Sequence, residues 1–239
     1  MRIKILALAV VATAMCSGFT QPVWADGPSA GPRALTLWWV IFNKPEACIA
    51  HPGAPEQCGY ADVFGQAFLD SVANGTPDPG LIAPNLASEV AVIYATGAST
   101  EGSGHVRMVA SLYKSGPGLD LAGPSLVDPM GFGRAFENTG AEVHLVIRDH
   151  GARVAGDLET QILNFLEPHC SDPNLGWLAG DNICADVQFA AFAPGESGAD
   201  AVYAFADPSQ PLGSSRAMLV RNGDMLQAIV TTRVRGSKE

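Results

Sequence analysis

Ala34 to Phe42 reads ALTLWWVIF, nine residues without a charge or a turn former. A run of that length and β-branched, aromatic content predicts a strand buried on both faces. Adjacent tryptophans on a strand point to opposite sides, so at least one of Trp38 and Trp39 enters a core. A chain built around such a strand needs a layer on each side of it.

Several further segments alternate with period two. Glu89 to Thr96 and Val106 to Tyr113 flank the Gly- and Ser-rich stretch 97–104, and predict an antiparallel hairpin. On the second of these, Val106, Met108, Ala110 and Leu112 share one face. Ala141 to Arg148 places Val143, Leu145 and Ile147 on one side and His144, Val146 and Arg148 on the other. Ala185 to Phe192 predicts a strand with Val187, Phe189 and Ala191 inward, and Ala201 to Phe205 a short one. Near the end, Ala217 to Arg221 and Asp224 to Val234 flank Asn222-Gly223, a dipeptide that favours a tight hairpin turn.

Helical periodicity is confined to two places. Phe64, Phe68 and Val72 recur every four residues and predict a helix over 61–74, stopped by Asn74-Gly75. Leu158, Ile162 and Phe165 fit a short helix over 157–166 with Asp157 as its N-cap. Residues 115–140 predict a long connection. The fold class expected is all-β, an antiparallel sandwich or barrel with one or two short helices.

The first 25 residues are expected to be a signal peptide. Arg2 and Lys4 precede an apolar run, Ile5 to Met15, that is too short to span a bilayer, and Val23-Trp24-Ala25 suits a cleavage site. Met15 stands before Cys16 where lipidation needs a small residue. Residues 26–33 form a flexible lead-in, and 34–239 a single β-rich domain. Cleavage removes two basic residues, leaving 12 Lys and Arg against 24 Asp and Glu, a net charge of −12. A chain so acidic is repelled by nucleic acid and by anionic membranes. No later stretch of 18 apolar residues provides a membrane span. The expected location is periplasmic or extracellular.

Export makes the cysteine count even. Cys48, Cys58, Cys170 and Cys184 allow three pairings. Nearest neighbours, Cys48–Cys58 and Cys170–Cys184, are preferred because each closes a short Pro- or Gly-containing loop. Zinc is the competing use, but the chain lacks a C-x-x-C pair.

Known catalytic motifs are missing. Gly116–Gly118 and Gly195–Gly198 are not nucleophile elbows, Gly102-Ser103-Gly104-His105 reads as a loop tip, and Gly131-Phe132-Gly133-Arg134 lacks the rest of a phosphate loop. The densest chemistry lies in EVHLVIRDH, Glu142 to His150. His144 and Arg148 share a strand face, which His150 joins if the strand continues. About 20 Å separates the two histidines along a strand, and Val146 interrupts the His-x-His spacing of copper and zinc sites. A polar sheet face is the preferred reading. The alternative is a ligand patch on His144, Arg148 and His150, with a metal on His144, approached in space by His105 or His169.

The segments LWWVIFN (37–43), CGYADVF (58–64), ATG (95–97), GAEVHLVIRDHG (140–151) and CADVQF (184–189) resemble a group of uncharacterised exported bacterial proteins over roughly residues 35–192. That resemblance implies no activity. The order of strand, Gly-rich turn, strand, long connection and Ala-x-x-His strand is similar to the chordin-like (CHRD) domain, which implies a β architecture. This chain has Ala141-Glu-Val-His144 where that domain carries an Ala-His-Ile-His strand. The expected function is an exported, non-catalytic binding or structural module whose small-molecule, glycan or protein ligand is open. The alternative is a metal-dependent or hydrolytic enzyme centred on His144.

Overall fold

The computed structural model describes residues 32–74, 76, 78–100, 104–115, 134–163, 185–201, 203–204 and 215–233. Residues 1–25, expected as a signal peptide, and Cys170, Cys184, His169 and Phe205 lie outside these.

Among the described residues, nine strands form two antiparallel sheets. The strands are β1 (Arg33–Phe42), β2 (Val90–Ser99), β3 (His105–Tyr113), β4 (Glu142–Ala152), β5 (Ala185–Phe192), β6 (Gly198–Ala201), β7 (Tyr203–Ala204), β8 (Arg216–Asn222) and β9 (Met225–Arg233). One sheet runs β2-β1-β4-β5-β7 and the other β3-β9-β8-β6. Three short α-helices accompany them: α1 (Tyr60–Phe64), α2 (Gln66–Ala73) and α3 (Leu158–Leu163). The architecture is an all-β sandwich rather than a closed barrel.

Strand β1 explains its own composition. Leu35, Leu37, Trp39 and Ile41 enter the core between the sheets, among Met108, Phe136, Leu145 and Phe192. Trp38, Val40 and Phe42 point the other way, against Cys48, Cys58, Val63 and Val146. Trp38 is 3% exposed and Trp39 1%, so both tryptophans are core residues. Each large apolar side chain so buried contributes about 1.5–3 kcal/mol. The outer layer is the loop closed by the Cys48–Cys58 disulfide, together with α1.

Four expectations need correction. The strands at 90–99 and 105–113 do not pair: β2 joins β1, and β3 joins β9 in the opposite sheet. Alternation reports that one face is buried and carries no information on the neighbour. The helix expected over 61–74 is broken at Gly65, whose φ of 86° and ψ of 144° lie outside helical space. On β5 the core face holds Gln188, Ala190 and Phe192, while Phe189 packs in the outer cluster. Gln188 is tolerated inside because the Ser215 hydroxyl donates to its Oε1, and Thr232 Oγ1 lies 2.5 Å from the same hydroxyl. The last hairpin turns on Gly223-Asp224, since Asn222 already pairs with Met225. Gly223 has φ 57° and Asp224 a negative φ, the pattern of a turn with glycine at its first central position.

Candidate functional site

Strand β4 carries the residues singled out for chemistry. Its inner face, Val143, Leu145 and Ile147, lies in the inter-sheet core as expected. Glu142, His144, Val146 and Arg148 follow with period two on the outer face, and the strand runs on to Ala152, so His150 lies within it. The fold does not gather the three candidates around one point; each has its own partner.

His144 Nε2 lies 2.8 Å from Glu142 Oε1. An ionised carboxylate only accepts, so the imidazole donates here in the tautomer protonated at Nε2. The imidazole also meets Phe42 edge-on, with ring centroids 5.2 Å apart. Arg148 places its guanidinium carbon 5.7 Å from the centroid of Trp38, a cation–π contact. His150 is buried, with Nε2 2.9 Å from Thr36 Oγ1. The same hydroxyl oxygen accepts the Trp38 indole N–H at 2.8 Å. Gln161 on α3 then donates to the His150 carbonyl at 2.8 Å. His105 is exposed at the start of β3, in the sheet opposite the one that holds His144.

Sequence reasoning missed the two carboxylates that organise this face. Glu142 is fully buried. Beyond His144, its Oε1 accepts Cys58 N–H at 3.0 Å and its Oε2 accepts Gln57 N–H at 2.8 Å. Asp62, on α1, is also fully buried. Its Oδ1 accepts Ile49 N–H at 2.8 Å and the Asn85 amide at 2.9 Å. Its Oδ2 accepts Ala50 N–H at 3.3 Å and Gly59 N–H at 3.0 Å. Two carboxylates therefore receive five backbone amides, four from both arms of the 48–58 loop and one from Gly59 beside it. Amides of a loop have no ladder to satisfy them, so a buried anion offsets their desolvation while they offset its own. A capping pattern hints at Asp62, three residues after Gly59 at the start of a helix. No local signal marks Glu142, whose loop donors lie 84 and 85 residues away.

At the far end of β4, Asp149 Oδ2 accepts Arg33 Nε–H at 2.7 Å and its Oδ1 accepts Gly151 N–H at 2.8 Å. Burial pushes the Asp149 carboxyl above its ordinary value of 3.8, against the opposing pull of Arg33 and of the Gly151 amide. A raised folded-state pKa means that the folded protein binds this proton more tightly than the unfolded chain. The associated stability is complete below 3.8 and is lost as pH rises through the folded-state value. Chemical denaturation of wild type and Asp149→Asn from pH 3 to pH 8 is therefore expected to show wild type losing ground to the variant as pH rises. A difference that is flat with pH, or that slopes the other way, contradicts this account.

A second feature lies at the start of β2. Glu89 has φ 49°, the one positive value among described residues other than glycine. Its carboxylate sits 2.7 Å from Lys44 Nζ and 4.0 Å from Arg134. A shallow cavity of about 150 Å³ opens there between Leu86, Glu89, Val90 and Arg134. That is below the usual range of small-molecule pockets.

Among the described residues, no group of three or more His, Cys, Asp or Glu side chains is placed to hold a metal ion. Nor is any described helix long and apolar enough to cross a membrane. The chain matches no protein-family model, no curated protein and no solved structure.

Proposed function

We propose that the protein is an exported module that binds or supports a partner without performing covalent chemistry. One observation carries the reading: the side chains on β4 that chemistry would use direct their polar atoms into the architecture. His144 is hydrogen-bonded to Glu142, His150 to Thr36, and Arg148 lies over Trp38. The buried Glu142 and Asp62 carboxylates accept amides of the disulfide loop and of the adjoining Gly59. A general base needs a polar atom within reach of a substrate proton, and a metal ligand needs a lone pair aimed at a shared centre. Export is supported by the layout of residues 1–25 and by a disulfide, which persists in oxidising compartments. The acidic balance argues against nucleic acid as partner. Small-molecule, glycan and protein ligands are all compatible with it.

The enzyme reading draws on one feature, the Glu142–His144 pair, since a carboxylate holding an imidazole is also how triads are built. The third member, a hydroxyl or thiol on the other ring nitrogen, is absent among the described residues. Elemental analysis of the mature, oxidised protein, purified without chelator or nickel, separates the two readings. Folded protein without stoichiometric metal is expected. His144→Ala is expected to cost about 1–3 kcal/mol, because it leaves a buried Glu142 oxygen short of a donor. Near-stoichiometric copper, zinc or iron that disappears in folded His144→Ala overturns the non-catalytic reading.

A further inference from the structure

Among the described residues the two sheets have four edge strands, β2 and β7 in one and β3 and β6 in the other. Two of them, β6 and β2, carry features that discourage pairing with another chain. β6 begins at Gly198 with φ 131°. β2 is bulged opposite Leu37/Trp38, and at Gly97 it packs so closely on Ile162 of α3 that a Cβ would lie 2.6 Å from its Cδ1. β3 has none of these devices. It is nine residues long, contains neither Gly nor Pro, and pairs with β9 from His105 to Tyr113 without a register shift.

Its backbone direction follows from one bond. Lys114 N–H donates to Asp224 C=O at 2.7 Å, continuing the ladder toward the β9 side. Successive residues of a strand direct their N–H and C=O to opposite sides. Arg107, Val109, Ser111 and Tyr113 therefore aim theirs at the open edge. The same four residues are exposed, Val109 at 42% and Tyr113 at 68%. An edge of this length, with apolar and aromatic side chains beside amides that no described strand pairs, is a template for another strand.

We propose that a second copy of this chain pairs on β3, antiparallel, about a two-fold axis through Val109. The register is self-consistent. Val109 faces its own copy, Arg107 faces Ser111 of the other chain, and every residue so paired is one whose backbone points outward. Charge is compatible as well: Arg107 is the ionised side chain between Val106 and Tyr113, and it meets a hydroxyl rather than a second cation. Its diagonal neighbour is Tyr113 of the other copy, within reach of a cation–π contact. The two four-stranded sheets would join into one of eight. This surface is separate from β4, and its failure leaves the proposed function untouched.

Sedimentation equilibrium of the mature, oxidised protein across the micromolar range tests the proposal. A monomer–dimer equilibrium is expected for wild type. Val109→Pro removes an outward N–H that β9 does not use, and Val109→Lys sets two cations against each other on the axis. Each is expected to raise the dissociation constant by about tenfold or more while circular dichroism and Tm show a folded protein. Val109→Cys brings two sulfurs together at a Cα separation of about 5.5 Å, within disulfide range, and should cross-link under mild oxidation. Ser111→Cys leaves its two sulfurs about 13 Å apart along the strand and should not. A wild type that stays monomeric overturns the proposal and leaves this edge to a strand of a different protein. A dimer unchanged by both folded Val109 variants, or one that Ser111→Cys cross-links as readily as Val109→Cys, overturns it too.

Discussion

Asp62→Ala is expected to destabilise the protein by about 4 kcal/mol, the sum of several lost charge-assisted hydrogen bonds discounted for relaxation. The carboxylate is fully buried, and no Lys, Arg or His among the described residues is bonded to it. Its desolvation is offset by three backbone N–H groups and one side-chain amide, from Ile49, Ala50, Gly59 and Asn85. Alanine removes the acceptor and leaves those donors inside the outer layer of the five-stranded sheet. Asp62→Asn keeps one oxygen and turns the other position into a donor facing donors, so it should lose about half as much. Urea unfolding followed by far-UV circular dichroism measures both. A loss below about 1 kcal/mol for alanine would mean that water reaches the loop amides, and that the disulfide and Glu142 hold the loop.

Gly65→Ala carries the second large effect, a loss of about 3 kcal/mol or more. Gly65 joins α1 to α2 at φ 86° and ψ 144°, a region that residues with a Cβ scarcely visit. Space is lacking as well, because a Cβ there would lie 2.7 Å from the Ala83 carbonyl oxygen. That contact is backbone, and it is held in place by Ala83 N–H donating to Phe64 C=O at 3.0 Å. Gly223→Ala is the control. Its φ of 57° is also positive, but no atom lies within 4 Å of the added Cβ, so it should cost about 1 kcal/mol. Equal losses at the two positions would show that the dihedral penalty, and not the approach of Ala83, sets the cost.

The candidate site was half legible. Alternation along β4 correctly sorted Val143, Leu145 and Ile147 from His144, Val146 and Arg148, because side-chain direction on a strand is a local property. The partners of those residues were not legible. His144 reads as a polar face residue or a ligand, and the structure adds a partner the pattern did not show, Glu142, two residues before it. Glu142 enters only as the first residue of EVHLVIRDH. Its burial depends on Gln57 and Cys58, and a backbone amide has no residue identity for a pattern to reveal. The break at Gly65 was hidden for a related reason. The period of Phe64, Phe68 and Val72 describes the face that is buried, and it persists across a kink.

By itself the sequence determined most of the strand segments and, β5 aside, which of their faces are apolar. The uncharged run of β1 required a layer on both sides, and the inter-sheet core and the disulfide loop supply them. The short spacing of Cys48 and Cys58 made their pairing the preferred one, and their Cα atoms stand 5.0 Å apart. Only the tertiary structure decided which strand lies beside which. β3 begins at His105, soon after β2 ends at Ser99, yet it finds its partner in β9, more than a hundred residues later. Strand faces are set by local burial, whereas strand neighbours and buried hydrogen bonds are set by competition among all backbone donors and acceptors once the chain has collapsed.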